Sequence, residues 1–343
     1  MTQEYTAQSV TTDNEEHRPP SRSRARGLLD RLRRDPGIWR RGIILALLAL
    51  LTAFLMILHA QIPNTIGNLG SLAETFLPWL GLVVPLVLVL GLVRRSATAL
   101  IALLLPAIVW LNLFGGLITD KAGGGGDLMV ATHNVNADNP DPEGTAADLA
   151  ESGADVIALE ELKAGAVETY EKGLAGTYKY HSVQGTVGLW SKYPLSATKP
   201  VDIRLGWVRA MRSTVATPQG PVAVYVAHLP SVRVKLHAGF TANQRDKSAD
   251  ALGEAIDDEP LERVILLGDL NGTMNDRALK AVTAQMRSTQ GAAGDGYGFS
   301  WPASFPLARI DQIMVRGVEP TSSWSLPRTG SDHLPLAARV DLR

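Results

Sequence analysis

A mixed α/β domain carried on an apolar helical anchor is the architecture this sequence predicts, and three observations predict it. Three long uncharged apolar runs crowd into the first third of the 343 residues. Short β-branched runs alternate with helical stretches over the last two thirds, which points to α/β or α+β layering and away from an all-β domain. Polar residues capable of chemistry fall where the short runs end. Whole-chain figures hide this division. With 33 Lys+Arg against 34 Asp+Glu and 45% hydrophobic residues, the average shows no sign of a polyanionic partner. The absence of cysteine excludes disulfide staples, thiolate metal sites and a Cys nucleophile.

The apolar runs cover 42–60, 76–93 and 97–119, or 19, 18 and 23 residues. Each reaches the roughly 18–20 residues a helix needs to cross a hydrocarbon core of about 30 Å, so three transmembrane helices are expected. Pro85 and Pro106 fall inside the second and third runs, where neighbouring helices can satisfy the freed backbone groups. Nine Arg and two Asp lie between Arg18 and Arg41, whereas the loop 61–75 has no Lys or Arg and one acid, Glu74. Arg94 and Arg95 mark the turn between the second and third runs. The excess of basic residues places 1–41 in the cytoplasm as an Arg-rich tail, its first 20 residues polar and disordered. An odd number of spans then leaves everything after Thr119 outside. The expected localisation is a multi-pass membrane protein with an extracytoplasmic domain.

A linker at 120–127, with Gly123–Gly126 as a flexible hinge, leads into the domain at 128–343. Strands are expected at Leu128–Val130, Val156–Leu159, Val187–Trp190, Val222–Ala227, Val264–Leu267 and Ile310–Val315. Helices are expected at Thr145–Glu151, Ala166–Leu174, Gln244–Ile256 and Asp276–Thr283. From Asp120 onward 22 Lys+Arg face 27 Asp+Glu, a net of −5. A non-specific nuclease carries a basic footprint to neutralise phosphates, so nucleic acid is not the favoured partner.

Open α/β layers put ligands at strand ends, and the polar residues there form an ordered set. His133-Asn134-Val135-Asn136 follows the first strand, Glu160-Glu161 the second, and His228 the run ending at Ala227. Asp269-Leu270-Asn271 follows Val264–Leu267, Asp311 follows Ile310, and Ser331-Asp332-His333 lies near the C-terminus. Each has an ordinary structural reading alone: a turn at Asp269-Leu-Asn-Gly272, a solvated edge at Glu160-Glu161, a turn cap at Asp332. Their order is more specific than any member.

In order, Asn134, Glu161, His228, Asp269 with Asn271, Asp311 and Asp332-His333 resemble the endonuclease/exonuclease/phosphatase superfamily, over about 129 to 343. Thr186-Val-Gly-Leu-Trp-Ser-Lys-Tyr-Pro194 also resembles that family's Gly-x-x-Leu-Ser-Arg-x-Pro stretch. The resemblance implies a four-layer α/β/β/α sandwich of DNase I-like type. There are two departures. Glu160 replaces the family's usual Gln and is expected to add negative charge near the metal, and Asn136 stands where apurinic endonucleases carry Asp.

The residues themselves ask for phosphoester hydrolysis assisted by a hard cation, because oxygen donors without Cys suit Mg²⁺ or Mn²⁺. By resemblance, Glu161, Asn134 and Asp332 form the metal side of the site. Asp269 orients or deprotonates the attacking water with support from Asn271. His333, paired with Asp311, contacts the scissile phosphate, and His228 binds a phosphate oxygen. Three spans ahead of such a domain look like the VanJ-type membrane phosphatases associated with teicoplanin resistance in actinomycete bacteria. This implies hydrolysis of undecaprenyl pyrophosphate at the outer face of a bacterial cell membrane, with a lipid-linked phosphate and the bilayer as partners. The same site also suits an exported phosphodiesterase or nuclease, a sphingomyelinase-like phospholipase or, from another class, a non-catalytic membrane binding protein. Tyr297-Gly-Phe299-Ser-Trp301-Pro-Ala-Ser-Phe305 is read either as core packing or as a loop meeting lipid.

Overall fold

The computed structural model describes residues 41–65, 67–232 and 240–343. The Arg-rich tail expected over 1–41 therefore lies outside the described residues, except for Arg41. The apolar third forms α1 (Ile43–Ile57), α2 (Leu69–Thr75), a 3₁₀ segment (Leu77–Leu82), α3 (Val83–Val93), α4 (Ala97–Ala102) and α5 (Leu104–Phe114).

Three uninterrupted spanning helices are not what forms. The helix running Ala97–Leu117 has 21 residues and is the one described helix long and apolar enough to cross a membrane unaided. Helix α1 has 15 residues, about 22 Å at 1.5 Å per residue, short of a ~30 Å core. The second run is continuous with α2 only through a 65° bend. Proline explains part of the difference. Pro78 opens the 3₁₀ segment, and neither Pro85 nor Pro106 has an N–H to return to the preceding turn. Counting uncharged length measured hydropathy and missed these interruptions.

The helical block has a small core of its own. Ala49, Val87 and Leu103 are buried together, as are Met56, Leu77 and Phe114. Its outer face is different: among the described residues, every exposed large apolar side chain except Tyr180, Trp207 and Phe305 lies between Ile43 and Ile118.

The remainder builds two six-stranded sheets. Strands β1 (Leu128–Asn134), β2 (Val156–Glu160), β3 (Tyr180–Gln184), β4 (Val187–Ser191), β11 (Glu319–Ser325) and β12 (Leu336–Asp341) form the first, in the order β11-β12-β1-β2-β4-β3. The second is β5-β6-β7-β8-β10-β9, built from Leu195–Pro200, Ala210–Thr217, Gly220–Ala227, Val264–Asp269, Asp311–Arg316 and Arg287–Ser288 for β5, β6, β7, β8, β10 and β9. Period-2 alternation sorts the side chains of the central strands. Val130, Val156, Leu189, Val224, Ile265 and Ile313 meet between the sheets. Their neighbours Ala131, Ile157 and Leu159 face outward onto α6 (Pro142–Glu151) and α7 (Val167–Leu174). Ala223, Tyr225 and Leu266 likewise face α8 (Phe240–Asp257). The result is the four-layer α/β/β/α arrangement.

The six expected strands and four expected helices all form, with small shifts at their ends; Asp276–Thr283 is a 3₁₀ turn followed by α9 (Lys280–Thr283). The linker is more ordered than its four glycines suggest. Gly123 N–H donates to the Thr321 carbonyl at 2.6 Å, and Thr321 Oγ1 donates to the Gly125 carbonyl at 3.1 Å, so this stretch runs tied along β11.

The helical block also docks on the domain. Trp79 Nε1 donates to the Leu307 carbonyl at 2.8 Å, and its ring stacks on Phe299 at 5.7 Å, with Tyr297 stacked beyond at 5.0 Å. Thr273 Oγ1 donates to the Glu74 carbonyl at 3.2 Å. Much of the aromatic segment is thus packing, but against the apolar helices and not inside the sandwich. Phe305 remains 68% exposed.

Candidate active site

The strand pairings bring the predicted residues to one end of the sandwich. Parallel β1 and β2 end together with Asn134 opposite Glu160, which delivers Asn134 and the next residue, Glu161. Antiparallel β8 and β10 put Asp269 directly opposite Asp311. His228 follows β7, which runs parallel to β8. Local backbone turns these side chains inward: Glu161 and Asn271 hold left-handed conformations at φ 61° and 46°. Gly268, at φ 148°, lets β8 pass so close to β7 that a Cβ there would lie 1.9 Å from the Ala227 carbonyl. Without glycine at that position, Asp269 would not reach the site.

Asp269 sits at the centre and is 1% exposed. Its Oδ1 accepts from Asn271 N–H at 2.8 Å. Its Oδ2 accepts from Asn134 Nδ2 at 3.0 Å and Asn271 Nδ2 at 3.2 Å, and Asn271 Nδ2 also donates to the Leu229 carbonyl. Burial, then the charge of Asp311, pushes the Asp269 carboxyl up to about 7. It therefore changes protonation near neutral pH, as suits a group that accepts a proton from water.

His333 and Asp311 form the second unit. His333 Nδ1 lies 2.8 Å from Asp311 Oδ2, which also accepts from Ser300 Oγ at 2.6 Å. Burial works against a charged imidazole here. The Asp311 carboxylate overcomes it and raises His333 to about 10, while Asp311 itself is held below its ordinary value despite burial, by that same partner. At neutral pH the pair is an imidazolium beside a carboxylate, with Nε2 4.0 Å from Asp269 Oδ2. His228 is the opposite case. Burial and the neighbouring Arg209 guanidinium hold it well below 6.5, so it is neutral, with Nε2 3.4 Å from Glu161 Oε1 and 3.7 Å from Asp269 Oδ2.

Glu161, Asp269, Asn271, Asp332 and His333 line one cavity of about 410 Å³. Asn134, His228 and Asp311 do not line it; they are buried against the residues that do. Asn134 is engaged within the protein at both ends of its amide: Nδ2 donates to Asp269, and Oδ1 accepts Asn136 N–H at 3.0 Å. Glu160 corrects an expectation. Its side chain is fully buried, accepts from Thr132 Oγ1 at 2.9 Å, and burial raises its pKa well above the ordinary value. Its carboxyl lies in the interior and does not line the cavity.

The donors fit a hard cation. Glu161 and Asp332 present carboxylates to the same cavity, and the crowding of Asp269 against Asp311 is what adjacent positive charge relieves. Asp269, Asp311 and His333 also bring ligand atoms within 4.8 Å of one another. Their mutual hydrogen bond and ion pair already occupy the facing atoms of His333 and Asp311.

Sequence reasoning missed several participants. Ser331 Oγ donates to the Asn134 carbonyl at 2.7 Å and accepts His333 N–H at 3.1 Å, stitching the last loop to the first strand. Arg245 on α8 is fully buried and donates to the Asn271 carbonyl at 2.9 Å, to Asp276, and to Ser71 Oγ at 3.0 Å. An arginine in a polar helix carried no signal of such a position. The largest omission is part of the cavity wall: Ser71, Leu72, Thr75 and Phe76, at the junction of α2 and the 3₁₀ segment, line it together with Glu161 and Asp269.

These residues converge at the strand ends of a two-sheet sandwich, and comparison with known proteins gives the family to which that sandwich belongs. The model of the endonuclease/exonuclease/phosphatase family matches residues 131–333, more than half of the chain, and the chain belongs to that family of hydrolases. No curated protein matches the chain by sequence. Among solved structures, a humanised D. rerio TDP2 is similar at 20% identity and TM-score 0.53, over 62% of this chain and 98% of that one. An endonuclease/exonuclease/phosphatase from Bacteroides vulgatus is similar at 18% and 0.53, over 63% and 99%. Beta toxin from Staphylococcus aureus is similar at 15% and 0.51, over 62% and 99%. At these identities the likeness establishes the fold.

Proposed function

We propose that this protein is a membrane-anchored, outward-facing, divalent-metal-dependent hydrolase of a lipid-linked phosphate, with undecaprenyl pyrophosphate as the substrate. One observation carries the reading: the apolar helical block forms a wall of the catalytic cavity through Ser71, Leu72, Thr75 and Phe76. A soluble phosphate ester has no need of such a wall, whereas a substrate that stays in the bilayer must be met there. The apolar belt between Ile43 and Ile118 supports the anchor, with Ala97–Leu117 long enough to cross a membrane and the bent α2–α3 segment as a second candidate element. The net charge of −5 from Asp120 onward argues against polyanionic nucleic acid.

Mg²⁺ or Mn²⁺ held by Glu161, with Asp332 beside it, would supply charge neutralisation at the phosphate oxygens when bound. The rest is done by the chain. Asp269, fixed by Asn134 and Asn271 and titrating at about 7, takes the proton of the attacking water. Protonated His333, held by Asp311, offers its Nε2 proton to a phosphate oxygen as negative charge grows there. Neutral His228, behind the cavity, packs beside Glu161 and Asp269 without adding a competing charge.

The test is phosphate release from undecaprenyl pyrophosphate by detergent-purified full-length protein, with and without Mg²⁺, beside Asp269→Ala. Metal-dependent release lost in the variant is expected. No release, from protein that still cleaves a generic phosphodiester, overturns the lipid-carrier reading and leaves the family assignment standing.

A further inference from the structure

Two residues of the catalytic wall belong to a second cavity as well. Leu72 and Phe76 line the catalytic pocket on one side and, on the other, a separate groove of about 480 Å³ formed with Leu55, Ile62, Leu69 and Leu80. Every residue lining that groove is apolar. The two cavities differ in chemistry as the two ends of an amphiphile do: carboxylates, His333 and Asn271 on one side of Leu72 and Phe76, hydrocarbon on the other. The groove is also lined by Leu55, which is 40% exposed on α1.

We infer that this groove binds the hydrocarbon chain of the substrate, and that Leu72 and Phe76 form the threshold where the chain passes from the groove to the phosphate site. The inference rests on the lipid-phosphate reading above and adds where the chain lies and what selects it. Continuity with the catalytic cavity identifies the occupant. A chain seated in the groove has its head group delivered at Leu72 and Phe76, into the cavity that Glu161 and Asp269 also line. The consequence is selection by chain. A phosphate ester too short to enter the groove loses apolar burial that a long-chain ester gains, and kcat/KM for the long chain should exceed that for the short one by at least ten-fold, since one methylene in a pocket is worth about 10–200-fold.

The experiment uses the full-length protein in phospholipid nanodiscs with Mg²⁺. It measures kcat/KM for undecaprenyl pyrophosphate and for dimethylallyl pyrophosphate, in the wild type and in Leu72→Ala, Phe76→Ala and Leu80→Gln. A long-chain preference that falls ten-fold or more in the variants, through KM more than kcat, is expected. A wild type without chain preference, or a preference the variants leave intact, overturns the inference. Variants can fail to fold, so the wild type is also photolabelled with a prenyl phosphate carrying a diazirine near its tail. Labelling within 55–80 supports the groove, and labelling confined elsewhere overturns it. Failure of the lipid-phosphate reading is separately visible: the wild type then hydrolyses neither pyrophosphate while still cleaving bis(p-nitrophenyl) phosphate.

Discussion

Replacing Asp311 with Asn removes one charge and almost no volume, and it should move His333 further than any other single change in the site. In the native site burial opposes protonation of His333, and the carboxylate 2.8 Å away overcomes it to set a pKa of about 10. Without that carboxylate burial dominates, and the pKa falls to 6.5 or lower. The span from 6.5 to about 10 corresponds to roughly 5 kcal/mol at about 1.36 kcal/mol per pKa unit. Breaking a buried ion pair costs about 3–5 kcal/mol, the same order. The sign follows from linkage. His333 has a folded pKa above its unfolded one, so its stabilisation is complete below about pH 6.5 and is lost as pH rises through about 10. Asp311→Asn should therefore melt roughly 10 °C below the wild type at pH 6, with the gap closing toward pH 10. The alkaline limb of kcat/KM for a chromogenic phosphodiester should retreat from near pH 10 to near pH 6.5 or below. Thermal melts across pH 6–10 and a pH–rate profile check both. An equal melting deficit at pH 6 and pH 10.5, with an unmoved alkaline limb, refutes the charged pair.

Three further outcomes are expected. Asp269→Asn should lower metal-dependent turnover by about 10³-fold or more; because the folded carboxyl titrates at about 7, above its unfolded value, ionising it costs stability as pH rises. The same variant should then melt higher than the wild type at pH 8 without divalent cations, as calorimetry can read. Gly268→Ala should lose roughly 3 kcal/mol or more in denaturant unfolding, since its Cβ has no room beside the Ala227 carbonyl and φ is strained. Arg245→Met should lower kcat/KM about ten-fold or more, because the Asn271 carbonyl and Ser71 Oγ both lose their donor and the two sides of the cavity lose their register; unchanged kcat/KM in a folded variant would contradict a positioning role.

Legibility in the sequence follows the range of the contacts. The central strands were visible because β-branched residues buried on both faces make continuous apolar runs, and Asn134, Glu161, His228 and Asp269 were visible because they close or follow such runs. Strands β3 and β5 were not, because edge strands carry little apolar signal: Tyr180–Gln184 and Leu195–Pro200 are largely half-buried or exposed. Strand β6 escaped for another reason. It buries Arg212, which a strand pattern reads as a polar break, and only its partner Glu259, 47 residues on, makes that burial tolerable.

The wall of the cavity was invisible for a deeper reason. Ser71 and Leu72 come from a stretch that reads as a loop between apolar runs, and nothing local ties it to Asn271, far along the chain. The tie is Arg245, whose guanidinium reaches Ser71 Oγ with one nitrogen and the Asn271 carbonyl with the other. The guanidinium is fully buried, so neither contact is weakened by solvent as a surface contact is. The Asn271 loop therefore cannot shift relative to α2 without leaving a buried guanidinium partly unpaired, which costs more than the bond itself contributes. A tether meant only to raise local concentration needs no such bond and is served by a flexible linker. The buried Ser71–Arg245–Asn271 connection instead fixes the apolar block in register with the loop that carries Asn271, as the proposed lipid-linked substrate would require.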